Sequence, residues 1–453
     1  MSSRSQAIDM QDRALGQCSE EMRYRLLCSV VRVDPDWAQG WVTLGHHLGE
    51  IGLLEASVGA YECARRCMDP DDVGMRARVA CNMAMRLHHL GRTDEALKEA
   101  DLCTSLDPRM TFGWINKAMI YSRIGRHDKA VDAGDLAVEC AGPNEPEAEL
   151  SLAFAHMFAG DFVNGLRHFE SRFRYKAALR QYAEWPIPKW DGGQVGRLLV
   201  VSEQGLGDAL SMARFIPAAK VLASEVLFAV QPELVRLLTP SLPRAKVIPF
   251  PKTYPEVDAW ISVGSLPIAL GLSQDDIVNC PGLDVPRFHV PPGWEASKDR
   301  KKIGICWGGS KANDIDKWRS LAGPEPFLRL LEVPGVDLYS FQIGDRAPEL
   351  HTCGAVGLIQ DLTPWIRDCA DAAAILSKMD LVITVETFLG HLAGFMDVPC
   401  WVLDSYNGGD WRIGRGDRPP LWYGEHRIFR QGPDAQWGPV WDRVVEALGE
   451  WNE

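Results

Sequence analysis

The chain is expected to be a multidomain protein, an all-α array of helical repeats followed by two α/β lobes. Three observations point there. Residues 77 to 143 repeat themselves 34 positions apart, with Gly91, Arg92, Asp94 and Ala96 recurring as Gly125, Arg126, Asp128 and Ala130. A stretch rich in proline and glycine at 175 to 196 then ends any helical period. From Arg197 onward, short β-branched strands alternate with helices, and two glycine-bearing loops follow strands: LLVVSEQGLGDALSMAR at 198–214 and VITVETFLGHLAG at 382–394.

Composition sets the outer limits. A chain of 453 residues is too long for one ordinary core, so two or three domains are expected. Hydrophobic residues at 46% and charged residues at 24% are values of a soluble globular protein. A net charge of −13 argues against a nucleic-acid platform. The polar N-terminal MSSRSQAIDMQDRA lacks the apolar core of a signal peptide. No apolar run approaches the roughly 20 residues of a membrane helix, so no membrane span is expected. The 12 cysteines form no CxxC pair, and Cys63 and Cys67 would share one helix face. They read as small buried hydrophobes of a reducing compartment, which predicts a cytoplasmic protein.

The repeats come first along the chain. One copy reads NMAMRLHHLGRTDEALKEADLCTSLDP and the next NKAMIYSRIGRHDKAVDAGDLAVE, each a pair of amphipathic helices around a glycine turn. An earlier copy carries Trp41, Leu44, Gly45, Gly52, Tyr61 and Ala64, offset by a short insertion near DPDDVGM. A weaker fourth copy runs from Ala148 through Gly160, Asp161 and Phe169. This register resembles the tetratricopeptide repeat. The resemblance implies a helical array over 1–174 whose concave face presents an acceptor or a protein partner. Repeats that only pack against the next domain fit the same pattern. Trp37, Trp41, Trp114 and Tyr121 fall at repeat-core spacing and read as packing residues.

After a linker at 175–196, RLLVVSEQ, EVLFAVQ, AKVIPF and DAWISVG read as buried strands of a first lobe over 197–292. The proline-rich DVPRFHVPPGW at 284–294 leads to a second lobe over 300–453. There KIGICWGG, DLYSFQI, LVITVE and PCWVLD read as strands, with PEPFLRLLEV, DAAAILSKM and TFLGHLAGFM as helices. Such alternation predicts parallel sheets covered on both faces, with a ligand crevice at the strand ends.

Ordered blocks over roughly 160 to 448 carry a second resemblance. HFESRFRYKAALR, WPIPKWDGG and SEQGLGDALSMARFIP are followed by ICWGGSKANDIDKWRSL, SFQIGD, DCADAAAILSKMDLVITVET, HLAGFMDVPCWVLD, GDWRIGRGDRPPLWY and RIFRQ. Together they resemble bacterial glycosyltransferases fused to tetratricopeptide repeats: the lipopolysaccharide heptosyltransferases (glycosyltransferase family 9) and, more distantly, the O-linked N-acetylglucosamine transferases. The resemblance implies the GT-B fold of two Rossmann-like lobes. It also implies inverting, metal-independent sugar transfer from a nucleoside-diphosphate sugar to a glycan or protein acceptor. No cofactor and no metal ligands are expected, and no HExxH, GxSxG, Walker A or DxD-type motif stands out.

The same resemblance assigns residues. Asp208 matches the catalytic base, although an aspartate there also suits a plain helix cap. Gly205 and Gly207 would let the loop backbone approach its ligand. Lys317 and Arg319 fall where relatives place phosphate-binding cations, and Gln342 would touch base or phosphate. Glu386 stands where the family usually has a ribose-binding aspartate. Thr387 would cap a helix whose N–H groups at Phe388 and Leu389 meet the diphosphate. Phe388 is bulky where the family prefers a small residue. His391 matches a family histidine, and Asp410, with Trp411 and Arg412, matches a block beside the donor. Trp190 and Asp191 read as structural. The Glu386 and Phe388 departures leave an alternative, a catalytically inactive repeat-based scaffold. A dinucleotide oxidoreductase fits poorly, because GLGD is not GxGxxG.

Overall fold

The computed structural model describes residues 2–452 except 17, 143, 176–184, 252, 254, 286, 296–298, 314–315, 415–421 and 425, and it does not describe the side chain of Lys317. The middle of the expected linker, 176–184, thus lies outside the described residues. The chain divides into two compact units, Met1–Ala155 with Pro433–Ala435, and His156–Gly432 with Gln436–Glu453.

The first unit is helical and tetratricopeptide-like. Helices α1 (Ser3–Leu15), α2 (Glu20–Val33), α3 (Ala38–Glu50), α4 (Leu54–Cys67), α5 (Val73–His89), α6 (Thr93–Leu106), α7 (Thr111–Arg123) and α8 (His127–Cys140) pack in successive pairs. Each pair also adjoins the next. The turns of the four expected copies are set by glycine: Gly52, Gly91, Gly125 and Gly160 take φ of 81°, 76°, 74° and 77°. Only glycine enters this left-handed region without a Cβ penalty, so the same residue recurs at the same place. Small side chains let paired helices close, and Ala84, Ala96, Ala100 and Ala130 are fully buried. Trp41 and Trp114, at equivalent repeat positions, donate to the carbonyls of Pro35 and Pro108 at 2.8 and 2.9 Å. They tie each helix to the loop before it. The pair α1–α2 precedes the first copy visible in the sequence, and Ser2 and Ser19 cap its helices.

Helix α9 (Pro146–Phe158) runs through the boundary at His156, and α10 (Phe162–Phe169) follows within the second unit. Two all-parallel sheets follow. The first has strands β1 (Val195–Val201), β2 (Ala223–Val230), β3 (Lys246–Pro249) and β4 (Ala259–Ser262) in the order β3-β2-β1-β4. Helices α11 (Leu206–Met212), α12 (Ile216–Leu222) and α13 (Pro232–Ser241) connect them. Trp190 joins this sheet's edge through its backbone N–H to Trp260 O at 2.8 Å, while Asp191 accepts from Gly193 N at 3.0 Å. Both act structurally.

The second sheet has β5 (Lys301–Cys306), β6 (Val336–Ser340), β7 (Ile359–Asp361), β8 (Leu381–Val385), β9 (Cys400–Asp404) and β10 (His426–Arg430) in the order β10-β9-β8-β5-β6-β7. Helices α14 (Cys369–Leu376), α15 (Phe388–Phe395) and α16 (Gly438–Asn452) serve it. Strands β4, β8 and β9 are buried along their whole length, the mark of strands covered on both faces. The segment expected as an α-helix at 324–333 is a 3₁₀ helix, Glu325–Glu332, entered through Pro324 and packed under α16 by Phe327 against Trp441. The edge strands β7 and β10 had no clear sequence signal. Among the described residues, no helix is long and apolar enough to cross a membrane.

Candidate functional site

Strand order places the crevice. In the first sheet the chain reverses its direction of winding between β1 and β4, and in the second between β5 and β8. Loops leaving the carboxyl ends of strands at such switch points cannot fold to the same side, so a gap opens. After β1 comes 202–205, leading into α11; after β5 comes 307–310; after β8 comes 386–387, leading into α15. A cavity of about 550 Å³ lies at these ends, reached by Leu206 from one sheet's loops and by Gly308, Gly309, Gln342, Thr387, Phe388 and Leu389 from the other's.

Thr387 sits at the N-cap of α15, but its hydroxyl pairs with Thr384 Oγ1 at 2.9 Å and does not cap the helix. The first-turn N–H groups at Phe388 and Leu389, which have no partner within their own helix, therefore remain at the cavity wall. Phe388 is half-buried there as a wall rather than a plug.

Gln342 is 3% exposed, and its amide serves the turn after β5. Its Oε1 accepts from Trp307 N and Gly308 N at 3.2 and 3.0 Å, while Nε2 donates to Gly308 O at 3.0 Å. It shapes the cavity floor. Asp316 completes this turn by accepting from Gly309 N at 2.9 Å. Burial alone would raise the Asp316 pKa, but Ser320 and Arg346 outweigh it and hold the carboxyl below its ordinary range. Arg319 lies 3.7 Å from Asp316 and 3.8 Å from Glu386, the edge of ion pairing. Lys317 belongs to the same short helix, Asp316–Arg319, and its side chain lies outside the described residues.

A second group forms where α11 meets α15. Gly205 caps α11, and its N–H donates to Asp208 Oδ2 at 3.2 Å, the reciprocal arm of a capping arrangement. Asp208 Oδ1 accepts from Arg412 Nη2 at 2.9 Å across 204 residues of sequence. Arg412 in turn grips Asp410 at 2.7 Å, and Asp410 lies 3.4 Å from His391 Nε2. The other ring nitrogen of His391 meets the Tyr423 hydroxyl at 2.9 Å. Gly207 is pressed against this ring: a Cβ there would stand 2.2 Å from His391 Cδ2.

The electrostatics of this chain of groups follow from burial. Burial lowers the His391 pKa, against the pull of Asp410, so the imidazole is biased to its neutral form. Burial pushes Asp410 up, but Arg412 and His391 together hold it below the ordinary carboxylate range. Tyr423 is pushed up by burial and stays a phenol.

Eleven of the twelve residues singled out from sequence fall into two clusters, and the twelfth, Lys317, has its side chain outside the described residues. Gln342, Thr387, Phe388 and Leu389 line the cavity, with Arg319 against Gly309 of its lining and 3.8 Å from Glu386; Gly205, Gly207, Asp208, His391 and Asp410 join the α11–α15 contact. Sequence reasoning missed Tyr423, and it named Arg412 without foreseeing its bond to Asp208. It also missed Arg236 of α13, whose guanidinium bonds Asp368 at 2.7 and 2.6 Å beside the cavity. No local spacing signals any of these, because each partner lies far away in the chain.

No family model matches the chain. It is 24% identical over 473 residues to protein FlbA of Caulobacter vibrioides, covering 88% of this chain and 78% of that protein. It is 27% identical over 144 residues to tetratricopeptide repeat protein 37 of Xenopus laevis, covering 30% of this chain and 9% of that protein. Among solved structures, MamA (residues 41 to the end) from Desulfovibrio magneticus RS-1 matches with a TM-score of 0.34 at 16% identity, over 41% of this chain and 99% of that one. YrrB, a TPR protein with an unusual peptide-binding site, matches with a TM-score of 0.30 at 13% identity, over 40% and 90%.

Proposed function

We propose that the second unit is a GT-B glycosyltransferase, its two sheets being Rossmann-like lobes that transfer a sugar from a nucleoside-diphosphate donor to an acceptor hydroxyl with inversion and without a metal. One observation carries the reading: the cavity lies at the switch point of the six-stranded sheet, with the α15 N-terminus on its wall and α11 of the other sheet reaching it through Leu206. An anionic diphosphate suits that place, because unsatisfied N–H groups and the helix dipole favour negative charge. Arg319, whose guanidinium stands against Gly309 of the cavity lining, would neutralise charge as the leaving group departs.

In the transfer, the bond from the anomeric carbon to the diphosphate oxygen breaks as the acceptor oxygen bonds the opposite face. The acceptor proton passes to Asp208, and the nucleoside diphosphate leaves with the bonding electrons. Asp208 can take this role without losing its present partners. Each carboxylate oxygen accepts one hydrogen bond, from Gly205 N–H or from Arg412, and each has a second acceptor position. The repeats of the first unit would present the acceptor, a glycan or a protein, or recruit a protein partner on their concave face.

A second reading is a scaffold with an inactive transferase domain. The engagement of both Asp208 oxygens favours it, because an acceptor hydroxyl must share the carboxylate with Gly205 and Arg412. Thermal-shift titration with nucleoside diphosphates and their sugars, followed by turnover assays on Asp208→Asn, separates the two. The transferase reading expects a donor-dependent rise in melting temperature and a loss of roughly 10²-fold or more in turnover with donor binding retained. Absence of any shift across a panel of nucleotide sugars would falsify it.

A further inference from the structure

Arg214, in the turn between α11 and α12, is only 7% exposed, yet among the described residues no carboxylate pairs with it. Among the described residues its guanidinium makes one hydrogen bond, a long one from Nη1 to the Cys280 carbonyl at 3.5 Å, and Nε has no partner. The guanidinium lies over the rings of Trp422 and Tyr423, 5.0 and 5.8 Å from their centroids. Aromatic faces recover part of the cost of burying a cation, but they satisfy none of its N–H donors. Burial accordingly lowers the Arg214 pKa.

This side chain borders a cavity of about 610 Å³, separate from the one at the α15 N-terminus. Residues 278–284 form one side, and Gly394 and Phe395 at the opposite end of α15, with Trp422 and Tyr423, form the other. Asn279 and the half-buried Cys280 thiol add polar lining, while Asp284 and Asp397 are exposed at its rim. A planar fork of donors, desolvated and with no carboxylate partner among the described residues, is arranged to receive one.

We propose that this second cavity binds a small ligand bearing an oxyanion, a carboxylate or a phosphate, gripped by Arg214. The rim carboxylates Asp284 and Asp397 restrict it to ligands whose anionic group reaches inward while a hydroxylated or cationic part faces the mouth. The assignment does not depend on glycosyl transfer. It adds a second ligand to the unit, and Trp422 and Tyr423 join that ligand's site to the Asp208–Arg412–His391 chain.

The test uses the full chain and three probes: inorganic phosphate, glucuronate and, as a neutral control, glucose. Calorimetric titration should show saturable binding of at least one anion and none of glucose, with affinity falling about tenfold or more in Arg214→Gln. Binding of phosphate alone would identify a phosphate-bearing ligand, and of glucuronate alone a carboxylate-bearing one. A second readout needs no variant: saturating anion should slow alkylation of Cys280 by iodoacetamide in the wild-type protein, read by peptide mass spectrometry against the other half-buried cysteines. Arg319→Gln serves as the control for the cavity at the α15 N-terminus and should leave this binding intact. The proposal fails if neither anion binds, if Arg214→Gln binds as wild type does, or if bound anion leaves the Cys280 rate unchanged.

Discussion

Replacing Gly207 by alanine tests the α11–α15 contact with a single methyl group. The backbone itself permits the change, since Gly207 lies at the second position of α11 and does not have a positive φ. Helix propensity would even reward it by about 0.5–1 kcal/mol. Packing opposes it more strongly. The new Cβ would lie 2.2 Å from His391 Cδ2, 2.9 Å from Nε2 and 3.1 Å from Cγ, where carbon atoms prefer about 3.5 Å or more. The ring cannot turn aside cheaply, because Tyr423 and Asp410 hold its two nitrogens from opposite ends. Overpacking of this kind costs about 1–3 kcal/mol, and so large an overlap belongs at the top of that range. The balance is a loss of about 2 kcal/mol, or roughly 3 °C in melting temperature for a unit of this size.

Differential scanning calorimetry of four proteins measures it: wild type, Gly207→Ala, His391→Ala and the double variant. His391→Ala should itself destabilise by leaving Tyr423 and Asp410 without their ring. In that background, however, the Gly207 methyl has room and should cost little or nothing. The cycle should therefore show a coupling of at least about 1 kcal/mol. If Gly207→Ala melts within about 1 °C of wild type, or if the two losses simply add, the described contact between α11 and α15 is wrong.

Three further outcomes follow from the same geometry. Arg172 is fully buried and grips Glu203 through Nε and Nη2 at 2.8 and 2.7 Å, so Arg172→Met should cost about 3–5 kcal/mol in chemical denaturation by stranding a buried carboxylate; the pair Arg172→Met with Glu203→Leu should recover most of it. His426 is held neutral by burial, its pKa lowered from 6.5 to about 4 despite its bond to Gly390 O. The unfolded state binds this proton first as pH falls, so stability is full above about 6.5 and drains toward pH 4, by up to about 3 kcal/mol. His426→Gln, which still offers a donor but does not titrate, should flatten that limb of a pH series, and an unchanged slope would refute the assignment. Finally, Arg319→Gln should weaken nucleoside-diphosphate binding by about tenfold in a fluorescence titration, and equal affinity would remove Arg319 from the phosphate site.

What the sequence disclosed was whatever the local backbone demands. Gly91 and Gly125 were visible as repeat turns because no other residue takes their φ without strain, and the same demand exposed Gly52 and Gly160. Strands β1, β5, β8 and β9 were visible because burial on both faces writes an unbroken apolar run. Strand β7, three residues long at a sheet edge, writes no such run. Partners chosen by tertiary structure left no trace. Arg412 reaches Asp208, Arg172 reaches Glu203 and Arg236 reaches Asp368, and nothing in the residues between encodes those meetings.

Asp208 shows what this difference means for function. In sequence its two roles, cap and base, compete for one side chain. In the fold Oδ2 engages the Gly205 N–H and Oδ1 faces Arg412, so a base at this position would keep its capping contact. The capping arm fixes the rotamer, as a base requires, because a carboxylate free to swing would lose the alignment that proton transfer needs. Arg412 holds the other oxygen, and Asp410 in turn holds that guanidinium from its other end at 2.7 Å. Asp410→Asn should therefore loosen Arg412 and, with it, the placement of the Asp208 carboxylate that the proposed proton transfer needs. The expected signature is a fall in turnover with donor affinity unchanged, a split that a merely structural Asp410 would not produce.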